Sequence, residues 1–198
     1  MSLVIRYDIW AVLLSLAAGQ LYLQFRTRNY QGFPEGVIKT LRGVSAIPAL
    51  TALICMFYSP EIFSGLKIDL PLWVQYFGLF VFNAGTFIVL WSHAVLGKYW
   101  SGGLATHPNH QLIDQGPYRY IRHPLYSAYI FMSLGYTLMT ENVFVGSLMM
   151  IYSCTVATRV WSEEEMLRKR LGRVYEAYMQ KTPRFIPRLR LARLLARS

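Results

Sequence analysis

Two short polar stretches interrupt an otherwise apolar chain. The first, residues 116–126, reads Gly-Pro-Tyr-Arg-Tyr-Ile-Arg-His-Pro-Leu-Tyr. It gathers two arginines, one histidine and three tyrosines into eleven residues, where the chain re-enters an apolar run. The second, residues 159–165, reads Arg-Val-Trp-Ser-Glu-Glu-Glu. Together they offer carboxylates, guanidinium groups, an imidazole and phenols, a set able to bind a ligand carrying charges of both signs. Unpaired charge at low dielectric is costly, so such groups at a membrane edge need partners or a ligand.

Each stretch also has a plainer reading. Gly116-Pro117 is a turn signal, and His123-Pro124 reads as a helix start with proline at the first helical position. His123 then simply caps a helix, while Arg119 and Arg122 reach up to headgroups. Spacing alone leaves both readings open. Arg159 and Glu163 are four apart and share a helix face, as an interfacial ion pair does. Three successive carboxylates at a cytosolic boundary fit that picture poorly. Anionic lipid repels them and a basic rim is the ordinary choice, whereas a cationic ligand nearby makes sense of them.

The elements that must hold these stretches follow from composition. The chain has 198 residues, 54% of them hydrophobic, with a mean hydropathy of +0.30. A soluble domain of this length is rarely so apolar. A membrane span needs roughly 20 apolar residues, and five runs approach or exceed that length: residues 3–25, 44–63, 70–96, 124–140 and 143–161. Glu141-Asn142 alone separates the last two, which predicts a tight antiparallel helical hairpin. The first run lacks a clear basic leader and a small-residue cleavage site, and further spans follow it, which speaks against a cleaved signal peptide. The expected fold is all-α, a single integral membrane domain over 1–198 with five transmembrane helices. It comprises a three-span part over 1–96, a ligand-binding part over 97–187 and a basic tail over 188–198.

Charge sets the orientation. Of twenty Lys and Arg, eighteen fall in segments 26–43, 97–123 and 159–198, which lie on one side of a five-span chain. The positive-inside rule places that side and the C-terminus in the cytosol, with the N-terminus outside. The net charge of +10 is then mostly topology, and a nucleic-acid partner is not expected. Cys55 and Cys154 both fall mid-span, as packing residues rather than a disulfide or a metal pair. Arg6 and Asp8 in the first run suit an interfacial anchor. Segment 26–43 reads as a cytosolic turn region, and Pro48 is expected to kink or start the second helix. His93 near the end of the third run reads as a hydrogen-bonded packing residue. His107 and His110 lack metal-ligand spacing, so no metal is expected. From Met166 to Met179 apolar residues recur at helical spacing, which predicts one amphipathic helix on the cytosolic side. The tail from Pro183 mixes apolar residues with five arginines and reads as a membrane-surface anchor.

As a set, Gly116-x-Tyr118, Arg122-His123-Pro124-x-Tyr126 and Glu163-Glu164-x-x-Leu167, followed by Gly172, Tyr175 and Tyr178, resembles the isoprenylcysteine carboxyl methyltransferase family. Phospholipid N-methyltransferases share a related arrangement. The resemblance covers about residues 97–187. It implies an integral membrane enzyme that moves a methyl group from S-adenosyl-L-methionine to a lipophilic or lipidated acceptor, leaving S-adenosyl-L-homocysteine. By resemblance, His110, Gln111, Leu112 and Ile113 line the adenosine end of the cofactor pocket and Tyr118 contacts the nucleoside. His123, Pro124, Leu125 and Tyr126 form the pocket wall. Glu163 and Glu164 bind the cofactor, and Arg159 faces the substrate. Arg159, Glu163 and His123 are the residues that would carry the chemistry. The compact length resembles bacterial or archaeal forms, which implies a prokaryotic plasma membrane.

The chemistry agrees with these roles. The cofactor carries a sulfonium, an ammonium and a carboxylate, so its pocket needs both anions and cations. A carboxylate acceptor is already ionised at neutral pH and needs no general base, and Arg159 can grip it with two hydrogen bonds. The acceptor that the family resemblance implies is an isoprenylcysteine-type carboxylate. An amine, phospholipid or thiol acceptor would need a base, for which a glutamate or His123 is the candidate. Gly102-Gly103 stands where the family has larger residues. Two other readings compete: an NADPH-dependent sterol-type membrane reductase, and a non-catalytic membrane protein whose polar stretches are anchors. A nicotinamide 2′-phosphate calls for an arginine cluster, and the carboxylate run at 163–165 speaks against it.

Overall fold

A computed structural model of the chain describes residues 3–26, 36–99 and 111–188. Seven α-helices follow in order: α1 Leu3–Arg26, α2 Gly36–Tyr58, α3 Leu72–Leu96, α4 Pro124–Thr140, α5 Val143–Ala157, α6 Val160–Leu171 and α7 Arg173–Lys181. Short 3-10 turns occupy Pro60–Leu66, Gly97–Tyr99 and Gly116–Arg119. Among the described residues the only extended pairing is an isolated bridge between Lys67 and Asn142.

Backbone contact, not side-chain bulk, sets the central packing of α3 on α4. Gly78 and Gly135 face each other so closely that a Cβ on Gly135 would lie 2.6 Å from the Phe82 amide nitrogen and 2.7 Å from the Gly78 carbonyl oxygen. Small residues at such crossings let membrane helices approach where lipid supplies no hydrophobic drive. On the other side of α4, the Ser133 and Ser153 hydroxyls meet at 2.8 Å and tie it to α5. The core joins all five long helices through Ile9, Leu53, Phe82, Val89, Met132, Tyr136 and Val145.

The α4–α5 hairpin is the one its two-residue link predicts. Glu141 turns the corner with φ 59, and Asn142 caps α5, its Oδ1 accepting from the Val145 amide at 2.9 Å. The Asn142 amide donates to the Phe63 carbonyl at 3.2 Å. Glu141 in turn accepts from the Leu70 amide and Gln75 and lies 3.4 Å from Lys67.

Several expected boundaries move. Residues 36–43, read as turn, are helical, so α2 starts at Gly36 and Pro48 lies inside it. The same helix ends at Tyr58 rather than continuing to residue 63, because Pro60 disfavours helix at the residue before it and a 3-10 turn takes over. The run 143–161 is interrupted after Ala157, where Arg159 bonds back only three residues to the Val156 carbonyl. The amphipathic stretch is two helices, not one, because Gly172 takes a positive φ of 53 between α6 and α7.

Among the described residues, two helices are long and apolar enough to cross a membrane, Leu72–Leu96 and the nearly continuous Val143–Leu171. The outer faces carry exposed Trp73, Phe77, Phe80 and Phe87 on α3, Ile47, Leu50 and Ile54 on α2, and Phe131 and Leu134 on α4. So much large apolar surface turned outward suits lipid as the solvent.

Candidate active site

Both polar stretches meet at one end of the bundle. Pro124 opens α4, so His123 takes the cap position with non-helical backbone (φ −127, ψ 63), and its side chain makes no cap bond. The ring instead stacks on Tyr126, with centroids 5.7 Å apart, and meets Phe185 at a tilt, 6.1 Å away. Its two nitrogens face two carboxylates: Nε2 lies 3.1 Å from Glu164 Oε1 and Nδ1 lies 3.7 Å from Glu163 Oε2.

The adjacent glutamates are in opposite situations. Glu164 is 1% exposed and ringed by cations. Its Oε1 accepts from Arg122 Nε at 3.0 Å, Arg122 Nη2 at 2.9 Å and Arg184 Nε at 3.1 Å. Its Oε2 accepts from Arg184 Nη2 at 2.6 Å. Charge-assisted bonds of this kind are the strong ones, and here they satisfy a carboxylate that burial would otherwise penalise. Glu163 keeps 22% of its side chain exposed. It accepts a hydrogen bond from the Tyr126 hydroxyl and lies 3.5 Å from Arg159 Nη2. Arg159 is itself buried, at the start of α6.

The remaining walls are aromatic and backbone. Tyr118 is buried in the 3-10 turn, with Ser92 of α3 beside its phenol. Burial first, then the nearby charge of Glu163, push its phenol well above the ordinary tyrosine value, so it stays neutral. Tyr178 donates to the Tyr118 carbonyl at 2.6 Å, which docks α7 against the turn. Arg122 also donates through Nη1 to the carbonyls of Met179 and Thr182, at 2.9 and 2.6 Å.

The structure therefore brings Tyr118, His123, Pro124, Tyr126, Arg159, Glu163 and Glu164 into one neighbourhood. Leu125 packs toward the bundle core. Gln111 is exposed, and Leu112 and Ile113 are half-buried in the stretch leading to the 3-10 turn. His110 lies outside the described residues, as do His107 and Gly102-Gly103. Three residues that the sequence reading did not single out belong to the same neighbourhood: Ser92, Arg184 and Phe185. The surface-anchor reading of the tail does not hold for residues 183–185. They are stitched to the start of α4 by bonds from the Arg122 amide to the Pro183 carbonyl (2.9 Å) and from the His123 amide to the Arg184 carbonyl (3.0 Å). The Ser127 hydroxyl adds one to the Phe185 carbonyl at 2.8 Å. These pairings are backbone-led, so periodicity and composition carry little trace of them.

Comparison with known proteins falls on the same segment. Residues 76–169 match the model of the isoprenylcysteine carboxyl methyltransferase (ICMT) family. Protein-S-isoprenylcysteine O-methyltransferase B of Arabidopsis thaliana is 29% identical over 145 residues, covering 70% of this chain and 73% of the plant protein. The nickel-cobalt-cadmium resistance protein NccN of Alcaligenes xylosoxydans xylosoxydans is 30% identical over 105 residues, 50% of this chain and 47% of its own length. The cobalt-zinc-cadmium resistance protein CzcN of Cupriavidus metallidurans is 30% identical over 103 residues, so the chain spans about half the length of both metal-resistance relatives. The solved structure of a eukaryotic intramembrane Ras methyltransferase, ICMT, superposes with a TM-score of 0.55 at 21% identity, over 79% of this chain and 54% of that one. Over residues 76–169, which carry the Arg122-His123-Pro124 turn and both glutamates, the chain matches the isoprenylcysteine carboxyl methyltransferase family, and its helices share that family's fold.

Proposed function

We propose that the chain is a membrane methyltransferase that uses S-adenosyl-L-methionine and methylates a lipophilic acceptor, an isoprenylcysteine-type carboxylate above all. The observation that carries this reading is Glu163, an accessible carboxylate set among Tyr126, His123 and Arg159 inside the family-matched segment. Such a set fits the cofactor. A part-exposed carboxylate beside phenol rings suits an ammonium and a sulfonium, since aromatic faces and carboxylates both attract cations. When bound, the cofactor supplies an electrophilic methyl group on sulfur.

The chain's own residues then have separable tasks. Glu163 takes the cationic end of the ligand. Tyr118 and Tyr126 wall the pocket with neutral phenols and exclude water. Leu112, Ile113 and the preceding His110 and Gln111 flank the nucleoside end. Arg159 holds the acceptor carboxylate, and alignment does most of the catalytic work, as in any in-line displacement. His123 is pinned between two carboxylates and orients both. The apolar outer faces admit the acceptor's tail from lipid, with five spans, the N-terminus outside and the site on the cytosolic face of a plasma membrane.

Calorimetric titration of the detergent-solubilised protein with S-adenosyl-L-homocysteine, beside NADPH, tests the reading. Binding of the first alone, lost in Glu163→Gln, supports it. Binding of NADPH alone would move the reductase reading ahead. Binding of neither would leave the polar end as an anchor. Labelled methyl donor with a carboxylate, an amine or a thiol acceptor then separates the acceptor classes.

A further inference from the structure

Residues 182–185 lie beyond the family-matched segment, yet they close the site. Arg184 is the residue through which they do it. Its guanidinium forks onto both oxygens of Glu164, at 3.1 and 2.6 Å, and lies 5.8 Å from the Trp161 ring centroid, one turn before on α6. Its carbonyl accepts from the His123 amide, and the next residue, Phe185, sets its ring at a tilt to the His123 ring. One residue thus contacts Glu164 by side chain and His123 by backbone, and His123 in turn faces Glu163.

We propose that Arg184 is a positioning residue for cofactor binding, fixing Glu164 as the internal carboxylate so that Glu163 is presented to the ligand. This rests on the methyltransferase reading above. The physical case is a division of charge. Two adjacent carboxylates and one imidazole admit more than one pairing, and His123 already touches both. Arg184 supplies the donor to Glu164 Oε2. Without it that oxygen loses a charge-assisted bond in a buried setting, and His123 and Arg122 must re-pair to neutralise it. Re-pairing of His123 shifts the ring that faces Glu163 Oε2 and stacks on Tyr126, and so disturbs a pocket that works by preorganisation.

The test is titration of the full chain in detergent with S-adenosyl-L-homocysteine, for wild type, Arg184→Gln, Arg184→Lys and Glu141→Gln, each well below its melting temperature. Glu141 anchors the far end of the bundle and serves as the control for general loss of stability. Arg184→Gln is expected to weaken binding by about tenfold or more, the scale on which orienting contacts behind a ligand act. Arg184→Lys keeps the charge but not the fork, and is expected to recover part of that loss. Glu141→Gln is expected to lower the melting temperature and leave binding within about twofold of wild type. Wild-type binding with Arg184→Gln unchanged overturns the proposal, as does an equal loss in Arg184→Gln and Glu141→Gln. If Arg184→Gln does not fold, Arg184→Lys decides: affinity equal to wild type overturns the proposal, and a loss in a folded protein supports it. Absence of binding in wild type sinks the methyltransferase reading itself, and this proposal with it.

Discussion

Two neighbouring glutamates show how little a residue's identity says about its work. Glu164 is surrounded by Arg122, Arg184 and His123 inside the protein, whereas Glu163 looks outward past Tyr126 and Arg159. Substitution should therefore separate them. Glu163→Gln is expected to abolish or strongly weaken S-adenosyl-L-homocysteine binding and to cost less stability than the same change at Glu164, since Glu163 is part-exposed and its ion pair with Arg159 is long, at 3.5 Å. Glu164→Gln should do the reverse in order: it leaves the buried Arg122 guanidinium without its counter-charge, which typically costs about 3–5 kcal/mol. Denaturation and titration of both variants check this, and equal stability loss in the two would contradict the division. The doublet itself was legible in the sequence, because carboxylates at a basic boundary stand out. Which of the two is buried was not, since that depends on Arg184, twenty residues on and brought back by a strap with no periodic signature.

Elements show the same contrast between local and distant causes. The α4–α5 hairpin could be read directly, because two polar residues between two apolar runs leave one way to connect them. The break at Gly172 could not, since the apolar spacing runs across it and only the positive φ ends the helix. The α3–α4 crossing was also silent: Gly78 and Gly135 look like ordinary glycines until the helices are brought together. The contact there is backbone to backbone, so nothing flexible can give way. Gly135→Val is expected to force α3 and α4 apart and to cost about 1–3 kcal/mol or more, the usual penalty of overpacking. A thermal melt that matches wild type would mean the crossing is looser than a 2.6 Å approach implies. At the hairpin, Asn142→Ala removes a helix cap and the bond to Phe63 together, and is expected to lower stability by about 1–2 kcal/mol.

At the scale of the whole molecule, one end of the bundle is stapled by a backbone corner at Glu141 and Asn142, and the other by the returning α7 and its strap. The returning end is held by Arg122, by the backbone bonds of the strap and by buried phenols. Tyr178 donates to the Tyr118 carbonyl, and Tyr175 packs beside it with ring centroids 5.9 Å apart. Burial raises the phenols of Tyr175 and Tyr178 above their ordinary value, with the charge of Glu164 adding to the effect at Tyr175. A group whose pKa is higher in the folded than in the unfolded chain stabilises the fold fully below its unfolded value. That contribution is lost as pH rises from the unfolded value, about 10 for tyrosine, toward the folded one. The docked C-terminal end is therefore expected to be the alkali-sensitive part of the protein. Tyr178→Phe should be less stable near neutral pH by about 1 kcal/mol, because a buried hydrogen bond is gone. It should also lose stability less steeply above about pH 10 than wild type, because one titrating phenol is gone. Denaturation curves for both proteins between about pH 8 and about pH 11 read the two effects separately. Parallel curves over that range would show that Tyr178 ionises no differently in the folded chain, and that α7 is docked by something other than its buried phenol.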